Sequence, residues 1–353
     1  MSEKISPENG QERASKILVD YLSYTISLSQ LYDYEDPKDG RNIGGRMQRK
    51  LYLPAELPWQ ERKGLYGYAS TLWYDGIVLA WGGADTVLVQ MSGTGCRTWE
   101  TLHPGLTWER WLRYLHETYN SLHISRLDIA YDTYGLLKLK VIQQYTRDNR
   151  YISRWRNYLI QEGTAENSVI WGSSKSDFRL RIYDKTQERS VKGGIDPSIL
   201  PQGWVRCEFQ LRNDAAAAFW REWSRSGSIG DAYRGIMCNQ LLYCSKHDGI
   251  HRDRAVVAPW WRKLLGDAPR LKMSYSGGKA YNYDSLMRYA HQFGPSAKAI
   301  IECNGGDPEA LFRLIGGCRL NDRQAELVRS TRKVPVDALA ADPAYKLLIA
   351  DIV

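Results

Sequence analysis

LYGYASTLWYDGIVLAWGGADTVLVQMSG, residues 65–93, reads as strand, turn, strand, turn, strand. Its runs are rich in β-branched and aromatic side chains, which suit a pleated, half-buried surface. Asp75-Gly76 and Gly82-Gly83 supply the residues that tolerate the backbone of a tight hairpin turn. Joins this short pair strands antiparallel, because a parallel crossover needs a dozen or more residues. The stretch from Lys16 to Leu28 has the same enrichment and adds a strand ahead of the meander.

Beyond residue 93 the pattern changes to alternating helices and strands. Thr107 is placed to cap a helix with Trp108, Trp111, Leu112, Leu115 and Tyr119 on one stripe, ending before a strand that begins near His123. A second helix is expected after Gly135, through LLKLKVIQQYTRDN. NSVIWGSSKSDFRLRIYDKTQER reads as a hairpin around Gly172–Asp177, and WVRCEFQLR as the next strand, with Asn213 placed to cap DAAAAFWREW. That order predicts an α+β fold: a largely antiparallel sheet with one polar face and flanking helices, followed by a mostly helical C-terminal region. After about Ser226 the strand signals stop, and RDRAVVAPWWRKLLGDAPRLK gives the later region a basic, Trp-bearing face. The expected divisions are a loose polar tail over 1–14, a first domain over 15–225 and a helical region over 226–353.

Bulk composition narrows the class. With 353 residues, 43% hydrophobic and 25% charged, the chain is globular and long enough for about two domains. It contains no apolar run of about eighteen residues, so a cytosolic protein without a membrane partner is expected. Six scattered cysteines with no C-x-x-C pair argue against a structural zinc site and for reduced, partly buried thiols. The net charge is +8, and the basic excess falls in residues 101–300. In a chain with 13 Trp and 23 Tyr, that excess suits a polyanion whose bases stack on aromatic rings, which points to nucleic acid with a single-stranded stretch. An ordinary basic protein with a solvated surface fits the charge alone equally well.

Side chains two apart in a strand share a face. In SRLDIAYD (125–132), Arg126, Asp128, Ala130 and Asp132 therefore face away from Leu127, Ile129 and Tyr131. In RLRIYDK, Arg179, Arg181, Tyr183 and Lys185 oppose Leu180, Ile182 and Asp184; in VRCEFQLR, Arg206, Glu208, Gln210 and Arg212 oppose Val205, Cys207, Phe209 and Leu211. If the three strands share one sheet, Asp128, Asp132 and Glu208 become candidate oxygen ligands for Mg²⁺ or Mn²⁺, and Arg126, Arg181, Lys185, Arg206 and Arg212 candidate phosphate partners, with Arg179 and Gln210 beside them. A sheet face laced with salt bridges would give the same alternation. A phenol titrating near 10 is a weak nucleophile, so a catalytic Tyr183 needs nearby positive charge, which Arg181, Lys185 and a cation would supply. The implied reaction is attack of the Tyr183 hydroxyl on a phosphodiester, although a strand tyrosine is most often packing. In MSGTGCRTWE, Gly93 and Gly95 allow a tight turn, and Arg97 near a helix start could contact phosphate.

GYASTLWYDGIVLAWGG, VLVQMSGTGCRTWE, SRLDIAYD, FRLRIYDKTQER and WVRCEFQLR, in that order, resemble the trans-acting rolling-circle replication initiators and the related relaxases of conjugative elements. The resemblance covers about Lys16 to Trp223. It implies an origin-specific DNA nickase in which Tyr183 stays joined to the 5′ phosphate and a free 3′-OH primes replication or starts conjugative transfer. It further implies a divalent metal held at Asp128 and Glu208, with Asp132 a further candidate. The DNA partner would be a replication or transfer origin presented as a hairpin or single-stranded nick site, worked on with a host helicase, and a homodimer is an open option. Cys207 stands where an aliphatic residue is more usual, on the face expected to be buried. Against this, nickases with a His-hydrophobic-His motif are disfavoured because the six histidines include no H-x-H. Metal-independent tyrosine recombinases place their tyrosine on a helix, and a non-catalytic origin- or operator-binding protein on the same fold is the remaining alternative.

Overall fold

The structure, a computed structural model, describes residues 14–32, 43–246, 255–275 and 283–320, with Gln324 and Val328. The polar tail expected over 1–14 lies outside these except for Ala14. In chain order the elements begin with β1 (Lys16–Ser27), α1 (Ile43–Lys50), β2 (Gln60–Lys63), β3 (Ser70–Tyr74), β4 (Ile77–Trp81), β5 (Thr86–Met91), α2 (Gly93–Leu102) and α3 (Trp108–Thr118). Next come β6 (His123–Tyr134), α4 (Leu139–Arg147), β7 (Tyr151–Ser153), β8 (Tyr158–Gln161), β9 (Ser168–Trp171), β10 (Phe178–Asp184), α5 (Lys185–Gly193), β11 (Trp204–Arg212) and α6 (Asn213–Ser226). The chain continues with α7 (Ile229–Gln240), β12 (Leu241–Lys246), β13 (Val256–Val257), α8 (Pro259–Leu265), α9 (Tyr283–Cys303) and α10 (Glu309–Gly316).

The expected α+β architecture is what the chain adopts. Ten strands form one antiparallel sheet in the order β2-β3-β4-β5-β1-β6-β11-β10-β9-β8, and the meander of residues 65–93 supplies one wing of it. Asp75 and Gly76 both take positive φ at the β3–β4 turn, as a two-residue hairpin join requires. Gly76 also lies so close to Gly95 that a Cβ on Gly95 would stand 2.2 Å from the Gly76 carbonyl oxygen, so that pair of glycines lets α2 start against the turn. The apolar face of the central strands carries Val19, Leu22, Leu127, Ile129, Leu180, Ile182, Cys207 and Phe209, all buried. Helices α6 and α7 pack on these strands, Tyr233 of α7 lying against Phe209 and donating to the Cys207 carbonyl at 2.9 Å.

Alternation fails in one place on β1. Val19 pairs with Ile129 but Tyr21 with Asp128, so Asp20 is an extra, bulged residue; a second irregularity opposite Ser125 restores the register at Tyr24–Ile124. Because Val19 and Leu22 are both fully buried, the two residues between them, Asp20 and Tyr21, are both left on the polar side.

Local details depart from expectation at four points. The hairpin strand stops at Asp184, whose carboxylate caps α5 by accepting the Gln187 N–H at 2.9 Å, so Lys185 opens a helix instead of ending a strand. Thr107 caps α3 as expected, whereas Asn213 is no cap: it has φ 46° and reaches Asp177 at 3.2 Å. Strands do not stop at Ser226, because β12 pairs with β7 and with β13 in a second small sheet. The Trp-bearing face of RDRAVVAPWWRKLLGDAPRLK is interior where it is described, Trp261 being fully buried and bonded to the Leu241 carbonyl at 3.0 Å, while Arg262 and Lys263 are exposed. Consequently α6, α7 and α8 belong to one compact unit ending at Gly278, and the second unit, from Lys279 on, contains α9 and α10. Among the described residues no helix is long and apolar enough to cross a membrane.

Candidate active site

Strands β1, β6, β11 and β10 are neighbours, so the three alternating polar stretches do share one face. Register sorts them into rows across the sheet. One row runs Lys16, Asp132, Arg206, Tyr183; the next runs Leu18, Ala130, Glu208, Arg181; the third runs Tyr21, Asp128, Gln210, Arg179. Ala130, a fully buried methyl among long side chains, separates Asp128 from Asp132 on β6 and pairs with Glu208 on β11.

Asp132 and Arg206 are one strand apart and almost entirely buried, at 3% and 5% exposure. Arg206 grips Asp132 with two parallel bonds, Nε to Oδ1 at 2.6 Å and a terminal nitrogen to Oδ2 at 2.8 Å, and its other terminal nitrogen meets Asp20 at 2.7 Å. Burial alone would lower the guanidinium's pKa, but Asp132 and Asp20 hold it well above its ordinary range. Asp20 was not singled out in the sequence. Its only signal there is the spacing of Val19 and Leu22, three apart where a regular strand would put core residues two apart.

Asp128 and Glu208 are differently placed. Asp128 is held by Arg126 through Nε at 3.0 and 3.1 Å and a terminal nitrogen at 2.5 Å, and the Arg126 guanidinium lies 4.1 Å over the Tyr21 ring. Burial, with the charges of Glu208 and Asp20, still pushes the Asp128 carboxyl up to about 7 against the pull of Arg126. Glu208 is 5% exposed and has no ion-pair partner among the described residues; it accepts from the Tyr183 hydroxyl at 2.9 Å and from Gln210 at 2.6 Å.

Tyr183 is 2% exposed. Burial first, and the Glu208 charge second, push its phenol well above the usual range, so the hydroxyl is a held proton donor. Arg181 covers the ring at 4.0 Å and is itself tied to Glu166 at 2.8 Å. Lys185 reaches the hydroxyl at 3.5 Å while bonded to Glu188 at 2.7 Å. Positive charge thus surrounds the ring as the sequence suggested, but it is balanced by Glu166 and Glu188, two carboxylates the sequence reading did not name.

At the other end Arg126 and Arg212 sit directly opposite each other, and Arg179 is bonded to Gln210. Burial, then the like charges of Arg212 and Arg126, lower the Arg179 pKa. Among the described residues Arg212 donates its guanidinium to the Ser174 carbonyl, at 3.1 Å, and has no carboxylate partner, so of the three arginines at this corner Arg126 is balanced by Asp128 while Arg179 and Arg212 carry charge that phosphate oxygens can satisfy. Arg97 is not part of it. Its guanidinium bonds the Val19 carbonyl and pairs with Glu100 at 2.8 Å, away from the Arg126 corner.

The donor set suits a hard divalent cation in a specific form. Among the described residues no group of three His, Cys, Asp or Glu side chains converges for a metal, because Asp132 is spent on Arg206. What remains is Glu208, which has no ion-pair partner among the described residues, and Asp128, whose carboxyl stays raised to about 7 despite its pairing with the half-buried Arg126; Mg²⁺ commonly binds through one or two carboxylates, keeping water and substrate phosphate as its other ligands.

Comparison with known proteins agrees with this architecture. NicK of Bacillus subtilis (strain 168), assigned by its name as a DNA relaxase, is 24% identical over 315 residues, spanning 84% of this chain and 86% of that protein. The structure of a rolling circle replication initiator protein from Geobacillus stearothermophilus superposes with a TM-score of 0.59 at 24% identity, over 74% of this chain and 100% of that one. The sequence profile described as replication initiation factor matches residues 122–314, a span that takes in β6, β10 and β11 and every row member on them. That match covers more than half of the chain, which therefore belongs to the replication initiation factor family.

Proposed function

We propose that the protein is an origin-directed DNA nickase that uses Tyr183 as its nucleophile. The observation that carries this reading is the hydrogen bond from the Tyr183 hydroxyl to Glu208, 2.9 Å long, with the raised carboxyl of Asp128 in the neighbouring row. Glu208 is positioned to take the phenolic proton as the Tyr183 oxygen attacks a DNA phosphorus. The P–O3′ bond breaks, the leaving oxygen collects a proton and becomes a free 3′-OH, and the 5′ phosphate remains on Tyr183. Arg181 and Lys185 offset charge that develops on the phenolic and phosphoryl oxygens. Arg126, Arg179 and Arg212 seat a flanking phosphate, with Gln210 and Arg206 orienting the carboxylates beneath. Because Tyr183 is buried, attack requires the Lys185–Glu188 pair to swing away from the hydroxyl.

A divalent cation, Mg²⁺ or Mn²⁺, would be held by Asp128 and Glu208, where it supplies neutralisation of both carboxylates and polarisation of a non-bridging phosphate oxygen. The 3′-OH is a primer end for replication or the start of strand transfer, and a host helicase is the partner this reading calls for. Residues 226–345 are offered as the duplex-recognising part.

The test is to incubate protein and Mg²⁺ with supercoiled DNA carrying its cognate origin and to look for relaxation and a protein–DNA adduct. Adduct formation by wild type and none by Tyr183→Phe is the expected result. Nicking by Tyr183→Phe at the wild-type rate sinks the mechanism, and EDTA-insensitive nicking sinks the metal.

A further inference from the structure

A cleft of about 1120 Å³ opens beside Lys16, Asp132 and Arg206 of the first row and reaches Lys185, two residues beyond Tyr183. That volume exceeds the roughly 300–1,000 Å³ usual for a small-molecule site, and its lining favours a polymer. Six basic and four acidic side chains line it, leaving it net positive. One wall is α5, which presents Lys185, Arg189 and Lys192 at i, i+4 and i+7, one stripe of a helix. The facing wall is α2, which presents Thr94, Thr98 and Thr101 at the same spacing, a stripe of hydroxyls. Trp204 and Tyr74 add aromatic surface.

Much of this charge is already used: Glu188 is shared between Lys185 and Lys192, Arg97 pairs with Glu100, and Arg206 is occupied by Asp20 and Asp132. Two cations are not. Arg189 on the wall and Lys16 on the floor are exposed and have no ion-pair partner among the described residues. They flank a row that runs from Tyr183 on β10 to Lys16 on β1, three strand spacings or about 14 Å.

Resting on the nickase reading, we infer that this α2–α5 cleft is the channel for single-stranded DNA on one side of the scissile phosphate. In that channel Arg189 and Lys16 bind separate, non-adjacent phosphates as the strand leaves Tyr183. On the α2 wall Thr98 already donates to Asp75 and Thr101 to the Arg97 carbonyl, so that wall offers small polar surface for the sugar–phosphate chain without reading sequence. A channel contacting only backbone and ring faces is the arrangement that tolerates any base.

The experiment measures binding of the full chain to fluorescein-labelled oligo(dT) of about twenty nucleotides, longer than the roughly 4–16 nucleotides one single-strand fold covers, across a salt series. A duplex of equal length is the control. Lys16→Ala with Arg189→Ala should weaken single-strand binding several-fold and flatten the log K against log salt slope by roughly 1.4, twice the value of about 0.7 per phosphate contact. Thermal melting should be unchanged, since neither side chain has a partner to lose. An unchanged slope in the double variant overturns the channel and leaves the nickase reading standing. Weakened duplex binding with intact single-strand binding overturns it too. Failure of wild type to bind either probe overturns the DNA reading itself and the channel with it.

Discussion

Asp132 and Glu208 lie in adjacent rows of one sheet face, equally buried, and have opposite fates. Asp132 is locked by two parallel bonds to an arginine that also holds Asp20. Glu208 has only a phenol and an amide to accept from, with Asp128 adding like charge. A buried carboxylate gripped by an equally buried guanidinium is finished as structure, whereas one that faces another carboxylate and has no guanidinium of its own is incomplete until a cation or a proton arrives. Charge on a sheet face therefore does not separate scaffold from site; the pairing does.

The sharpest way to break that contrast is Tyr183→Phe, which removes the donor to Glu208. Adduct formation should vanish, with stability changed by only about 1 kcal/mol, one hydrogen bond's worth, as read by gel and denaturant melts. Next is Arg206→Met, which strands Asp132 and Asp20. It should destabilise the fold by about 3–5 kcal/mol, and a small loss would mean the Asp132 end is not the scaffold described. Asp128→Asn sharpens the comparison from the other side. The folded-state carboxyl near 7 lies above its unfolded value, so in metal-free protein its ionisation opposes folding and stability falls as pH rises from about 4 to about 7. The asparagine variant should lose nicking yet melt higher than wild type at about pH 8, an advantage that disappears near pH 4 and shrinks when Mg²⁺ is added to wild type. A lower melting temperature at pH 8 would show that Arg126 already satisfies Asp128. The smallest effect expected is for Arg212→Ala, a single phosphate contact, which should flatten the single-strand salt slope by about 0.7 with nicking chemistry retained at saturating DNA.

Strict period-two alternation made the polar faces of β6, β10 and β11 legible residue by residue, and turn chemistry did the same for the meander. Which residues meet was not legible, because register between strands such as β6 and β11, whose Asp132 and Arg206 are 74 residues apart, is decided by the whole core. Nothing local says that Asp132 lies opposite Arg206 or that Ala130 lies opposite Glu208. Asp20 was hidden by its bulge, Lys185 by a helix that starts one residue earlier than the strand pattern suggests, and Glu166 and Glu188 by their places outside the strands. The tryptophans of α8 looked like a binding face because a short helix with aromatic and basic residues has the same composition whether the rings point in or out. Strand β12 was masked by its shortness and by following directly on α7.

The bulge at Asp20 and the irregularity at Ser125 cancel, so that only Tyr21, Leu22 and Ser23 are displaced against β6. It is a detour that rejoins its own road, with the ladder uniform on both sides. Removing Asp20 and Ser125 together should therefore leave a regular ladder that folds with Tyr21 still opposite Asp128, while Arg206 loses one of its two carboxylates, separating the shape of the protein from the wiring of its centre by two codons.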